Sequence, residues 1–541
     1  MKKWVKIITS WLTINWHWLS FLLIFLISFT VFAYLQYSET FADPDSFYHA
    51  KMALLTRDQG VVKDFPWLPF TVLKNNYTDQ HFLYHVLLIP FVSLSSPLVG
   101  IKLATVFFST LLILFFYGFL RKLRVKWAFV FSVLLLLINP FVFRVSLAKA
   151  PSVSLILLIL GLYFIINHRI KSLFLLSFIY VWFYGGFILI FVFCALYAFV
   201  SLIYDRWWRK NDHHLFLEKL FSTLGRKFRR RKRINYNLKI FLAGLLGVTA
   251  GLIINPYFPK DFIFYYHQLV KIGIINYSKI IGVGGEWYHY GFIDLISNTV
   301  ILSILLVITL VLFFIKIKRQ SKASFTLFFI YLLFLFFTLK SRRYVEYYVP
   351  FGMLFSAVSL RDSLNSIDLK AYFKIFKNIY FKNIGAKILI TIIITYILII
   401  VPTVAIRDFK TAKNDLSGGI AFDKYLLVSQ WLENHSSSGS IVIYSDWDDF
   451  PELFYHNSHN YYIVGLDPTF MYEYNKDLYW KWVNLTIGKE VPDLYKVVKN
   501  DFMASYIMIE KDHAGMRNTV SKTGGFSLIY EDNQVYLYQV N

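Results

Sequence analysis

Charge is what this chain has least of. Of its 541 residues only 16% are Asp, Glu, Lys or Arg, while 57% are hydrophobic and 20% aromatic. A soluble domain is about a quarter charged and contains no runs of about 20 apolar residues. Here such runs recur from Leu19 onward. A soluble enzyme and a disordered scaffold are thereby excluded. So is a β-barrel, whose strands alternate in polarity and are not continuously apolar. Cysteine is reduced to Cys194, inside an apolar run, which leaves no intrachain disulfide and no thiolate metal centre. Acid is missing altogether between Asp79 and Asp205.

The fold class that follows is a polytopic α-helical membrane protein. The basic N-terminus, Met1-Lys2-Lys3-Trp4, leads into the apolar run Leu19–Tyr34 with no small-residue cleavage site after it, so a retained first helix is expected. About eleven spans are expected, near 18–36, 100–120, 127–143, 152–166, 172–184, 186–204, 238–255, 292–316, 324–340, 345–360 and 386–405. With the N-terminus in the cytoplasm of a cell-membrane protein, the basic clusters fall on the cytoplasmic side. These are Arg121, Lys122, Arg124 and Lys126; His168, Arg169 and Lys171; Lys316, Lys318 and Arg319; the stretch 370–387; and 205–237, with Arg229, Arg230, Arg231, Lys232 and Arg233. That is the positive-inside rule, and it accounts for the net charge of +23 without a nucleic-acid partner. Arg144, Lys149 and Ser341-Arg342-Arg343-Tyr344 run against it. Segment 82–96, too short to span, reads as an interfacial or re-entrant helix.

Two organisational units emerge. Residues 1–406 form the membrane part, with outer loops at 37–98 and 256–291. Residues 407–541 hold 18 acidic and 12 basic residues and have the pattern of an extracytoplasmic α/β domain. Its expected elements are a helix at 421–434, strands at 440–444, 461–464 and 506–510, and a hairpin of 526–530 with 534–540 turning at Glu531-Asp532-Asn533.

Because charge at membrane depth is costly, carboxylates near the outer face are functional candidates. Asp43 and Asp45, followed by Tyr48 and His49, can hold a hard divalent cation (Mg2+ or Mn2+) or act as a base; a helix N-cap is the plainer use of such an Asp. Asp79 and His81 offer two more ligands from one loop. Glu286, between Gly284-Gly285 and Trp287-Tyr288, suits a mobile loop closing over a substrate, although Trp and Tyr are also ordinary interface residues. Arg342 and Arg343 suit a lipid-linked phosphate or diphosphate, or snorkel to headgroups. Trp447, Asp448 and Asp449, directly after a strand, are candidates for holding an acceptor.

In this order these parts resemble the GT-C glycosyltransferases, and in particular the catalytic subunit of archaeal and bacterial single-subunit oligosaccharyltransferases. Asp45-Ser-Phe-Tyr48-His49 matches that family's D-P-Y-Y-H loop in its Asp-to-His spacing. Glu286 matches its outer-loop Glu, Arg342 or Arg343 its pyrophosphate-contacting Arg, and Asp446-Trp447-Asp448-Asp449-Phe450-Pro451 stands where W-W-D-Y-G follows a helix and strand. Three departures are visible, the first being that eleven expected spans are fewer than the family's usual thirteen. The family's second acidic motif should fall near Arg144–Pro151, where this chain has no acid, and W-W-D-Y-G has become W-D-D-F-P. The resemblance implies transfer of a sugar or oligosaccharide from a polyprenyl-(di)phosphate carrier, attacked with inversion, to an extracytoplasmic protein or glycan acceptor. Asp45, Asp43 and Glu286 would be catalytic, and Asp45, Asp79, His81 and Glu286 would be metal ligands. Two rivals stand beside it: a polyprenyl-phosphate-monosaccharide transferase acting on lipid or cell-wall glycan, and a non-catalytic polysaccharide transporter or assembly factor. The carboxylates gather on one face and spans 100–204 lack acid, which disfavours transport.

Overall fold

The protein is seen in a computed structural model that describes residues 2–207, 236–364, 380 and 384–541. The run Arg229–Arg233 and most of the stretch 370–387 lie outside the described residues. The chain is a multi-pass membrane protein, mostly helical. Among the described residues five helices are long and apolar enough to cross a bilayer: Trp18–Leu35, Pro97–Lys122, Gly185–Tyr204, Tyr236–Ile253 and Lys322–Lys340.

Two expected spans are broken rather than straight. Residues 127–143 become Ala128–Leu135 and Asn139–Ser146, bent by 72°, and 292–316 becomes Phe292–Asn298 and Val300–Ile315, bent by 103°. The first break lies at Asn139-Pro140, where the ring takes away a backbone donor and Pro140 starts the new helix. Pro151–Ile166 and Ile170–Phe183 are 16 and 14 residues long, roughly 21–24 Å against a hydrocarbon core of about 30 Å. Helix Val345–Leu364 is buried along nearly its whole length, including Glu346. It packs against Val300–Ile315 and Lys322–Lys340. Helix Tyr236–Ile253 lies close on Ile170–Phe183 because Gly247 and Gly251 face the carbonyls of Phe174 and Phe178.

Helix Asp45–Gln59 and the 11-residue helix Phe82–Val92, in the loop expected on the outer side, pack on each other, and Phe82–Val92 also packs on Pro97–Lys122. Helix Ile384–Ser417 continues unbroken through residue 407, so composition changes about ten residues before the backbone does.

Strand β1 (Thr40–Phe41) pairs antiparallel with β2 (Ile420–Ala421), tying the first outer loop to the chain just after that helix. The C-terminal sheet follows: β3 (Ile441–Ile443), β4 (Tyr461–Tyr462), β5 (Ala504–Glu510), β6 (Phe526–Glu531) and β7 (Val535–Val540), in the order 4-3-5-7-6. β3 runs parallel to β4 and β5, and the β6–β7 hairpin closes the other side antiparallel. The preceding helix is Leu426–His435, starting later than 421 because Tyr425 takes a left-handed conformation at φ 61°. Edge strand β4 is covered by the first outer loop: Tyr462 N–H donates to Trp67 O at 2.8 Å, and Trp67 Nε1 donates to Ser458 O at 2.8 Å.

Candidate functional site

One cavity of ≈ 830 Å³ lies between the outer loops, the broken helix Asn139–Ser146 and the C-terminal domain. Its wall carries Asp43, Asp45, His49, His81, Glu286, Arg342, Arg343, Trp447 and Asp448, all singled out from sequence except His49's direct role. It also carries Arg144 and Lys149, which the sequence marked only as exceptions to the charge rule.

Asp45 opens its helix, and the residue before it, Pro44, makes no side-chain cap, so capping does not explain this acid. Asp43 Oδ1 instead accepts the Asp45 N–H at 3.0 Å, closing a tight turn that aims both carboxylates the same way. Between them lies Lys149, its Nζ 2.8 Å from Asp43 Oδ2 and 2.8 Å from Asp45 Oδ2. Burial pushes the Asp43 carboxyl up, against the pull of Lys149. Burial works against the Lys149 ammonium too, but Asp43, Asp45 and Glu286 outweigh it and hold the charge on.

Glu286 is equally occupied. Arg144 Nη1 donates to its Oε2 at 2.6 Å, and Arg343 Nη1 to its Oε1 at 2.8 Å. Burial alone would raise this carboxyl, but Arg343, Arg144 and Lys149 hold it well below the usual carboxylate range. Arg144 reaches on to the fully buried Glu346, Nε to Oε2 at 2.8 Å. Arg343 is also stacked near Trp287, 5.0 Å from the ring centroid, and donates to Tyr184 Oη at 2.9 Å. Arg342 is exposed, its Nε donating to the His289 carbonyl at 3.2 Å and its guanidinium lying 5.8 Å from the Tyr290 ring centroid.

The loop bearing Glu286, expected to be mobile, is anchored here. Ser341 Oγ donates to Glu286 O at 2.8 Å, Asn276 Nδ2 to Trp287 O at 2.8 Å, and Tyr277 Oη to Glu473 Oε1 at 2.6 Å. A Cβ on Gly284 would lie 3.8 Å from the Trp447 indole, so loop and C-terminal domain touch.

Asp79 does not face the cavity. It is buried, its Oδ1 accepting the His81 N–H at 2.9 Å and its Oδ2 bonded to His85 Nδ1 at 2.7 Å. His85 Nε2 in turn lies 2.8 Å from His49 Nδ1. Since the carboxylate only accepts, this reads as a chain of donors from His49 through His85 to Asp79. Burial first, and a neighbouring imidazole second (His81 for His49, His85 for His81), push His49 and His81 well below the ordinary imidazole value. Asp449 is likewise withdrawn: it is buried, bonded to Lys424 Nζ and Tyr425 Oη, each at 2.9 Å, while Trp447 and Asp448 remain on the wall.

A divalent ion was expected on Asp45, Asp79, His81 and Glu286. Among the described residues, the groups whose ligating atoms lie within 4.8 Å of one another are His49–His81–His85 and Glu510–Asp512–His513, and neither contains Asp45, Asp79 or Glu286. Acid and histidine clusters are present. The carboxylate cluster does not fit a hard cation, because Lys149, Arg144 and Arg343 already take the oxygens such an ion would need. Of the two gathered groups, the imidazole cluster reaches the same cavity through His49 and His81.

No family model matches the chain, and no curated relative matches it. Solved structures do. The apo oligosaccharyltransferase of Archaeoglobus fulgidus matches with a TM-score of 0.61 at 11% identity, over 98% of this chain and 75% of that one. The archaeal oligosaccharyltransferase AglB from Archaeoglobus fulgidus, in complex with an inhibitory peptide and a dolichol-phosphate, matches at 0.59 and 11% identity. ArnT from Cupriavidus metallidurans matches at 0.51 and 14% identity, over 98% of both chains. With its broken membrane helices, its paired outer loops and its C-terminal α/β domain, this chain has the fold of the GT-C membrane glycosyltransferases.

Proposed function

We propose that the protein transfers a sugar or oligosaccharide from a polyprenyl-(di)phosphate carrier to an extracytoplasmic acceptor. The observation that carries this reading is the single cavity that brings two carboxylates at a membrane exit, a cluster of guanidinium and ammonium groups, and an aromatic–acidic face of the C-terminal domain onto one wall. Arg342, the least committed of the cations, meets the carrier's phosphate, and Arg343 extends the same surface. Asp45, the more open of the paired carboxylates with 37% of its side chain accessible, takes the acceptor's proton as that acceptor attacks the anomeric carbon. Glu286 holds Arg343 and Arg144 in place. Trp447 and Asp448 orient the acceptor across the cavity from the donor.

One observation favours transfer to a lipid or cell-wall glycan over transfer to protein. Asp449 is locked to Lys424 and Tyr425, so only Trp447 and Asp448 of Trp447-Asp448-Asp449 are left to contact an acceptor.

The donor class is tested by purifying the protein with native lipid and identifying co-purified polyprenyl-(di)phosphate sugars by mass spectrometry. Such a lipid is expected in the wild type and lost in Arg342→Ala/Arg343→Ala. Bulk phospholipid alone in both would overturn the reading and favour a transporter or assembly factor. Asp45→Asn is expected to keep the lipid and lose transfer by about 10²–10⁴-fold, the range of a general base.

A further inference from the structure

The three carboxylates gathered at the centre of this cavity, Asp43, Asp45 and Glu286, each have a protein cation. Glu286 has Arg144 and Arg343, and Asp43 and Asp45 share Lys149, which is equidistant from the two and only 11% accessible. An ammonium enclosed between two carboxylates occupies the bridging position a metal ion would take, and it holds the oxygens a second cation would need.

The position is built. Lys149 stands in the four-residue link 147–150 between helices Asn139–Ser146 and Pro151–Ile166, flanked by the buried Ala148 and Ala150. The backbone just before it is held from two other helices. Gln36 Nε2 donates to Ser146 O at 2.6 Å, and Ser109 Oγ donates to Val145 O at 2.6 Å. Gln36 closes the first helix, a few residues before Asp43, so one side chain fixes the lysine loop against the loop of its partners.

We propose that Lys149 is the resident cation of this site, its ammonium holding Asp43 and Asp45 together and meeting the departing carrier phosphate, so that transfer runs without a divalent ion. The proposal rests on the glycosyltransferase reading for its chemistry but not for its test. In the step, the acceptor's oxygen or nitrogen forms a bond to the anomeric carbon, and the bond from that carbon to the phosphate oxygen breaks with its electron pair going to phosphate. The acceptor's proton goes to Asp45. Asp45 thus loses the negative charge that the phosphate gains, and a lysine on a flexible four-carbon stem can transfer its hydrogen bond from one to the other. A rigid guanidinium fork would not follow that movement as readily.

The test uses the full-length protein and Mn2+ alone, followed by electron paramagnetic resonance. Wild type is expected to bind no Mn2+ through its carboxylates, so Asp45→Asn leaves its titration unchanged. Lys149→Met removes the ammonium at similar volume and is expected to gain one Mn2+ site, at least about tenfold tighter than anything in wild type, abolished by adding Asp43→Asn. Lys149→Arg keeps the charge and is expected to exclude Mn2+ as wild type does, which checks the proposal even if Lys149→Met folds poorly. Wild-type Mn2+ binding that Asp45→Asn abolishes, or a folded Lys149→Met that gains no site, would overturn it. If lipid-linked donor is absent but the Mn2+ pattern holds, the transferase reading has failed and the fixed cation has not.

Discussion

At the residue scale, the pairing of Arg144 with Glu286 and Glu346 is the most consequential contact in the membrane part. Glu346 is fully buried, and only one of its oxygens has a partner. Removing one partner of a buried pair costs roughly 3–5 kcal/mol, because the other charge is left uncompensated. Arg144→Met is therefore expected to lower the thermal midpoint of the detergent-purified protein markedly. Arg342→Ala, which removes an exposed side chain, should leave it within about 1 °C while weakening donor retention. Equal midpoints for the two variants would show that Glu346 finds another partner. Scarcity makes the acids legible from sequence: the few expected on the outer face include Asp43, Asp45 and Glu286, which line the cavity. Lys149 and Arg144 left a signal too, as basic residues on the side where the positive-inside rule wants none. Their meaning was hidden because an ion pair joins residues a hundred or more positions apart, and no local pattern encodes that. Asp79 and Asp449 misled for the opposite reason: each looks like a ligand in its motif, and burial turns each into a holder of a neighbouring side chain.

At the element scale, of the eleven spans expected from hydrophobic runs, five are long apolar helices among the described residues and two more are bent pairs, because about 20 apolar residues leave little choice of structure in lipid. They did not show where a run bends. A break at Asn139-Pro140 is written in the proline, but the 103° bend at Thr299 has no comparable mark in the sequence. Close approach is similarly silent. A Cβ on Gly247 would sit 2.5 Å from the Phe174 carbonyl oxygen, and one on Gly251 2.7 Å from that of Phe178. Both obstacles are backbone, which cannot swing aside. Gly247→Ala is accordingly expected to destabilise by about 1–3 kcal/mol, read as a lowered midpoint or reduced yield of folded protein. No loss would mean that helices Ile170–Phe183 and Tyr236–Ile253 separate freely. In the C-terminal domain the strands were predicted to within a few residues, while the mixed order 4-3-5-7-6 depends on crossovers that strand periodicity does not report.

At the scale of the whole molecule, the C-terminal domain is not a pendant. Its sheet edge, its helix Pro468–Tyr474 and its Trp447 all meet the outer loops. It carries a cost of its own near the cavity. Burial, then the neighbouring Asp448, push the Asp446 carboxyl up to about 7. An unfolded Asp titrates near 3.9. The folded state thus binds this proton more tightly, and stability falls as pH rises through about 7. Asp446→Asn, which mimics the protonated form, is expected to be more stable than wild type at pH 8, with the advantage shrinking by pH 6. Parallel melting curves across that range would show that Asp446 keeps its ordinary ionisation.

The pairing of β1 with β2 bears on how such a protein is made. Thr40 Oγ1 donates to the Leu416 carbonyl, 376 positions later in the chain. At about 5–20 residues per second of synthesis, the first outer loop waits on the order of 20–75 s for the segment that completes it. During that interval Asp43 and Asp45 have left the ribosome without the strand that closes their loop. Closure of the cavity wall at β1 is therefore a late step of synthesis, timed by the emergence of helix Ile384–Ser417 and the strand after it. A nascent chain released early would carry every membrane-embedded acid and base of the site and still lack its closed form.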